Sequence, residues 1–309
     1  MSGSSTGVGS PSSRRFARQV ASWVPASLKR HLSIALKARA RALFGIEPWP
    51  DLSVRHPLFR EPGYRALRRD AARFDVEKPN KAVLERGHQT SYLVARWMSD
   101  AGVKTAFQVG YANGRYVFYF SRMGIECGGT DLPARETEWT AIPSGALDLP
   151  IRKRLLEVDF FDLTAPEVLA GFARSHDQPL DVLFTEATFE TMLPWRPAGV
   201  SVPKYAAMRP EALRALLAEK LPAKLAELAT CVRNIVLIEP EPAAGGAGRV
   251  FEMCSRRLTD LHYGVWRFRA PFDRLFRLSA SFPTEQVVYA YVRDSRVTET
   301  LGAYAERIT

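Results

Sequence analysis

An α/β fold built on a doubly wound parallel sheet is predicted by three observations. Short apolar runs alternate with segments of helical periodicity from residue 88 onward. The stretch from Lys104 to Asp131 compresses strand, glycine turn, helix and second strand into the length of one βαβ step. Near the C-terminus, two β-rich runs at 273–281 and 286–293 are separated by a short turn through Pro283, as in an antiparallel hairpin.

Taken in order, residues 1–13 are rich in Ser and Gly and read as a disordered tail. Residues 14–45 hold eight bases and no acid. Phe16, Val20, Trp23 and Val24 share one helical face. Beyond Pro25 a second stripe runs through Leu28, Leu32, Ala35, Leu36 and Leu43. Three readings are open: a helical appendage packed on the main domain, an amphipathic segment lying on an anionic membrane, or an Arg- and Ser-rich targeting peptide. By residue 73 fourteen bases stand against four acids, which accounts for the whole formal charge of +10. The segment 14–75 is therefore set apart as a basic helical extension from a domain at 76–309. Aromatic residues are not interleaved with its bases as stacking platforms, which argues against a nucleic-acid partner. Four prolines make 46–64 an irregular connector. Residues 64–75 read as helix, and so do 88–101, where Leu93, Val94, Trp97 and Met98 form the apolar side and Gly102 the C-cap.

In the organising stretch, Ala106, Phe107 and Val109 end a strand at Gly110. Tyr116, Val117, Phe120 and Met123 recur at helical spacing, Gly124 stops the helix, and 125–129 form the second strand, closed by Asp131. Gly110 lets the chain leave the strand at an angle a Cβ hinders, and Gly114 lets the helix start pack close. Backbone N–H groups at that helix start face a ligand, and an acid ending the second strand can accept bonds from both hydroxyls of a ribose. The run QVGYANG followed by GGTD resembles the first motif of the class I S-adenosylmethionine-dependent methyltransferases. Ala112 replaces that motif's middle glycine, and Gln108 stands where the family carries an acid near the cofactor's amino-acid end. The resemblance implies that Gly110, Tyr111, Ala112, Asn113, Gly114, Asp131 and Leu132 bind S-adenosylmethionine. It also places His88, Gln89 and Tyr92, on the helix before the first strand, near the pocket; for His88 alone the residue pattern favours a surface position at the helix start.

The run from Leu155 to Leu163 reads as a third strand ending in acids. By the resemblance, Asp159 and Phe160 serve the adenine, with Asp162 as the alternative. Thr164 and Glu167 make a capping box for a helix at 166–174. Leu180 to Glu186 is the fourth strand, and a loop at 187–208, rich in Pro, Trp and Tyr, follows its carboxyl end, where substrate contacts concentrate. Trp195 and Tyr205 are the candidate walls of an acceptor site. Residues 209–232 are helical, Pro222 marking a break or a second helix start, 234–239 form the fifth strand, and 249–262 a further helix. If an acceptor must lose a proton, Glu186, just past the fourth strand, is the first candidate base, with Glu190 and His262 behind it.

At 309 residues the chain has ample length for one large core. Three scattered cysteines, Cys127, Cys231 and Cys254, make no C-x-x-C pair, which fits a reducing, cytoplasmic setting and implies neither a disulfide framework nor a zinc site. No apolar run reaches membrane-span length, and no apolar signal core follows the basic start. The function expected is methyl transfer to a small-molecule, sugar or lipid-linked oxygen or nitrogen, without a metal. The alternative is a non-catalytic protein of the same fold that works through its basic N-terminal helices on a membrane or a protein partner.

Overall fold

The computed structural model describes residues 53–75, 81–132, 142–143, 145–172, 178–186, 188–189, 208, 210–240, 263–276, 286–293 and 295–308. Among these, eight strands form one sheet in the order β3-β2-β1-β4-β5-β7-β6-β8. The strands are β1 (Thr105–Val109), β2 (Glu126–Asp131), β3 (Leu155–Glu157), β4 (Leu180–Glu186), β5 (Val232–Pro240), β6 (Tyr263–Phe268), β7 (Gln286–Val292) and β8 (Ala305–Arg307). The first five are parallel, while β7 runs antiparallel between β5 and β6. The chain goes outward from β1 to β3, then restarts at β4 on the other side of β1. The β1–β4 boundary is thus the topological switch point, where the carboxyl ends of the strands open a crevice.

Helices cover both faces: α1 (Pro62–Asp70), α2 (Lys81–Asp100), α3 (Arg115–Arg122), α4 (Leu149–Arg152), α5 (Ala165–Leu169), α6 (Pro210–Leu228) and α7 (Ser295–Leu301). Alternation along the strands divides the core in two. Ala106, Val182, Phe184, Val236 and Ile238 join α2, α3 and α7 in one cluster. Phe107, Val109, Leu183, Ile235 and Leu237 join α5 and α6 in the other. On α6, Leu217, Leu221, Leu225 and Leu228 recur at helical spacing and are wholly buried. That stripe holds the helix on the sheet, and α6 runs without a break through Pro222.

Residues 53–75, assigned above to the basic extension, contribute Val54, Leu58, Phe59, Tyr64, Ala71 and Phe74 to the first cluster. Polar bonds weld them further. His88 is fully buried on α2; its Nε2 lies 2.8 Å from Asp75 Oδ1 and its Nδ1 3.1 Å from the Tyr119 hydroxyl. Arg68 bridges Asp75 and Glu85, and the Tyr64 hydroxyl donates to Glu85. The carboxamide of Gln89 clasps both backbone groups of Val54. The surface position expected for His88 is therefore corrected, and His88, Gln89 and Tyr92 hold the N-terminal segment to the core.

Two further expectations are corrected. The third strand stops at Glu157, because the Asp159 carboxylate accepts the Phe161 N–H and its carbonyl accepts from Asp162 and Leu163, turning the chain. The C-terminal pair is β6 with β7, and 272–276 is a 3-10 turn in which Phe272, Leu275 and Phe276 are buried at helical spacing. Beyond it lie α7 and β8, neither of them anticipated. The tail expected at 1–13, the basic stretch at 14–45, the helix expected at 249–262 and nearly all of the loop expected at 187–208 lie outside the described residues.

Candidate functional site

The parallel register brings the carboxyl ends of β1, β2, β3 and β4 to one edge. Val109 sits beside Thr130 and Thr185, and Asp131 beside Glu157. Gly110, Asp131, Asp159 and Glu186 therefore open onto the same rim of the switch-point crevice.

The turn after β1 takes left-handed backbone at Gly110 (φ 71°), Ala112 (φ 48°) and Gly114 (φ 79°). Ala112 keeps a glycine's conformation despite its Cβ, at a cost of roughly 1–2 kcal/mol. What holds it there is Asp131: the Ala112 N–H donates to Oδ2 at 2.6 Å, and the Leu132 N–H donates to Oδ1 at 2.8 Å. Burial raises the Asp131 carboxyl above the ordinary aspartate range, and the two N–H bonds offset part of that rise. Each oxygen has spent one lone pair, so each retains acceptor capacity for a hydroxyl. Asn113 Oδ1 accepts the Arg115 N–H at 3.3 Å, an Asx-type start to α3. Tyr111 is buried, its ring against Gly129, and burial together with the charges of Asp131 and Glu157 raises its hydroxyl above the usual tyrosine range.

Gly129 is required by close packing, since a Cβ there would lie 2.7 Å from the Gln108 carbonyl oxygen. The Gln108 side chain is buried under the turn. Its Nε2 donates to the Gly110 carbonyl at 3.2 Å, while Oε1 is buried with no hydrogen-bond partner. An orphaned acceptor beneath a glycine turn, next to a carboxylate with spare lone pairs, fits a ligand that carries a donor at one end and a diol at the other.

Asp159 is buried and caps its own turn through the Phe161 N–H. The Phe160 ring packs on Phe189, centroids 5.2 Å apart, so its contribution at the rim is backbone. Glu186 is half-buried at the end of β4. Glu190, Trp195, Tyr205 and His262 lie outside the described residues. No group of three metal-ligating side chains occurs among the described residues.

Two contributors were not singled out from the sequence. The Thr188 hydroxyl donates to the Val109 carbonyl at 3.1 Å, and a Cβ on Gly110 would meet it at 2.5 Å. Glu239, buried at the end of β5, accepts the N–H groups of Thr188 and Phe189 at 3.1 and 3.2 Å. These bonds strap the chain leaving β4 onto the glycine turn. The acid ending the NIVLIE run was the available signal.

No protein-family model matches the chain, and no curated protein matches it. Among solved structures, it is similar to a TehB-like SAM-dependent methyltransferase from Corynebacterium glutamicum, with 14% identity and a TM-score of 0.38 over 66% of this chain and 88% of that one. It is similar to the O-methyltransferase TomG from Streptomyces achromogenes, with 10% identity and a TM-score of 0.39 over 76% and 91%. It is also similar to a magnesium protoporphyrin IX methyltransferase from Synechocystis, with 13% identity and a TM-score of 0.39 over 79% and 98%. The fold assignment rests on the strand order: a doubly wound sheet with an antiparallel C-terminal pair, of the class I methyltransferase type expected from the sequence.

Proposed function

We propose that this chain is an S-adenosylmethionine-dependent methyltransferase acting on a small-molecule, sugar or lipid-linked acceptor. The observation that carries the reading is the left-handed turn from Gly110 to Gly114 latched to Asp131 at the switch point, with the unpaired Gln108 Oε1 beneath it. Asp131 would hold the ribose hydroxyls on its remaining lone pairs, and Gln108 a donor at the other end. Backbone groups from Gly110 to Gly114 line the crevice between, and Asp159 with the Phe160 backbone borders its far side. When bound, S-adenosylmethionine supplies an electrophilic methyl on a sulfonium sulfur. The chain's own part is to orient the acceptor in line, which contributes most of the acceleration in such a displacement, and to exclude water. Glu186 would take the acceptor's proton on its carboxylate. The basic stretch at 14–45 is read as a peripheral contact with anionic membrane.

Titration calorimetry with S-adenosylhomocysteine tests the reading. Asp131→Ala is expected to weaken binding by about 1.5–3 kcal/mol, the loss of hydrogen bonds to a charged acceptor. Equal affinity for variant and wild type would remove Asp131 from the site. A fold-bearing protein without the reaction would give no binding in either form.

A further inference from the structure

The side chain of Arg115, the first residue of α3, lies in a groove of α2 shaped by Gly87 and Ser91, four residues apart on one helix face. Its Nε donates to Ser91 Oγ at 3.0 Å, and that hydroxyl donates to the Gly87 carbonyl at 3.0 Å. A Cβ on Gly87 would meet Nη1 at 2.6 Å. Glycine in a helix interior is destabilising relative to alanine, so the groove has a cost. The guanidinium stays half-buried, and among the described residues it makes no ion pair. No acid stands in the first turn of α3, and a cation at that end opposes the helix dipole. A guanidinium fixed through Nε, with both terminal nitrogens left over and no counterion, is a fork that a carboxylate or phosphate completes.

The position of the fork selects its ligand. Tyr116, next in the chain, packs its ring on Phe184, centroids 5.1 Å apart. Phe184 and Glu186 share one face of β4, because strand side chains alternate. The fork is therefore on the Glu186 side of the crevice, by the candidate base. The charges agree: burial raises the Tyr116 phenol well above the usual tyrosine range, Glu186 adds to the rise, and Arg115 and Arg86 oppose it. At the ribose end, Asp131 and Tyr111 are shifted by burial, backbone bonds and carboxylates instead. We propose that Arg115, seated on Gly87 and Ser91, binds an anionic group of the methyl acceptor, a carboxylate or a phosphate, and so holds the accepting oxygen or nitrogen before Glu186. This rests on the methyltransferase reading above and narrows its acceptors to anionic ones. Gly87 and Ser91 are then positioning residues, acting through Arg115.

The test uses the full-length protein saturated with S-adenosylhomocysteine, so that the cofactor's own carboxylate is already in place. Calorimetry then compares matched probes: benzoate with benzamide, phenyl phosphate with phenol, and glucose 6-phosphate with glucose. Wild type is expected to bind at least one anionic probe about tenfold more tightly than its neutral partner, the worth of one hydrogen bond to a charged group. Arg115→Met should abolish that preference. Gly87→Ala, which keeps the charge but pushes the guanidinium off its seat, should reduce it several-fold. Both variants should bind S-adenosylhomocysteine as wild type does, with an unchanged circular-dichroism spectrum, which separates lost recognition from misfolding. No anionic preference in wild type, or a preference that survives Arg115→Met, overturns the proposal and leaves the cofactor reading standing. A tenfold loss of S-adenosylhomocysteine affinity in a folded Arg115→Met gives the arginine to the cofactor and overturns the proposal as well. Wild type that binds no S-adenosylhomocysteine overturns both readings.

Discussion

Acid should unlock the N-terminal segment through one side chain. His88 is fully buried between Asp75 and Tyr119, and its neutral form satisfies both: Nε2–H donates to Asp75, and Nδ1 accepts from the Tyr119 hydroxyl. Burial, with the charges of Arg115 and Arg68, pushes the imidazole from 6.5 down to about 3, against the pull of Asp75. The unfolded chain therefore binds a proton that the folded chain refuses between those two values. Stability from this group is fully present above pH 6.5 and falls as pH drops below it. Between pH 7 and pH 5 the loss integrates to about 2 kcal/mol, approaching roughly 1.4 kcal/mol per further pH unit. His88→Gln is the matched control, because a carboxamide can donate to Asp75 and accept from Tyr119 without titrating. Urea unfolding of both proteins at pH 7, 6 and 5 reads the difference. Wild type should lose about 2 kcal/mol more than the variant over that range. Parallel pH dependences would mean that the buried imidazole takes up its proton in the folded state, and the reasoning fails.

Four shorter expectations follow from the same packing. Gly129→Ala drives a Cβ to 2.7 Å from the backbone oxygen of Gln108 and should cost about 1–3 kcal/mol or more, read from the urea midpoint; a neutral result would mean β1 and β2 can separate freely. Ala112→Gly removes the strain of a left-handed alanine and should raise stability by about 0.5–1 kcal/mol, glycine's extra chain entropy offsetting part of the gain; a loss of stability on thermal melting would show the turn to be unstrained. Glu239→Gln weakens the bonds to Thr188 and Phe189, so S-adenosylhomocysteine should bind several-fold more weakly in calorimetry, with an unchanged circular-dichroism spectrum; full affinity would free the glycine turn from its strap. Removing residues 1–45 should abolish co-sedimentation with anionic vesicles, and the intact chain should lose that binding as salt rises, each base contributing about 1 kcal/mol near the surface; no vesicle binding at low salt would end the membrane proposal.

The sheet was legible where apolar periodicity and punctuation agreed. Gly110, Gly124 and Gly102 mark real ends, each at positive φ, and β4 ends at Glu186 as read. The glycine turn and Asp131 were legible as a motif, but the bond from Ala112 N–H to Asp131 was not, because it joins residues nineteen apart through backbone. The third strand was overrun since apolar residues continue between the acids of LLEVDFFDL, and the Asp159 turn bonds end it. The strand at 273–281 was misplaced because Phe272, Leu275 and Phe276 look as apolar in a tight helical turn as in a strand. Long-range polar pairs, such as His88 with Asp75 and Glu239 with Thr188, leave no trace in spacing.

The place of β7 in the sheet also sets the order in which the chain can be assembled. β6 leaves the ribosome before β7, yet its sheet neighbours are β7 and β8, both made later. Until residue 292 has been synthesised, β5 keeps an open edge of apolar backbone, Ile235 to Ile238, and β6 waits beside it without a sheet partner. An unpaired edge of that kind recruits strands from other chains. A chain ending before Gln286 should therefore aggregate rather than fold to a smaller sheet, although every residue of the glycine turn and its aspartate is already present.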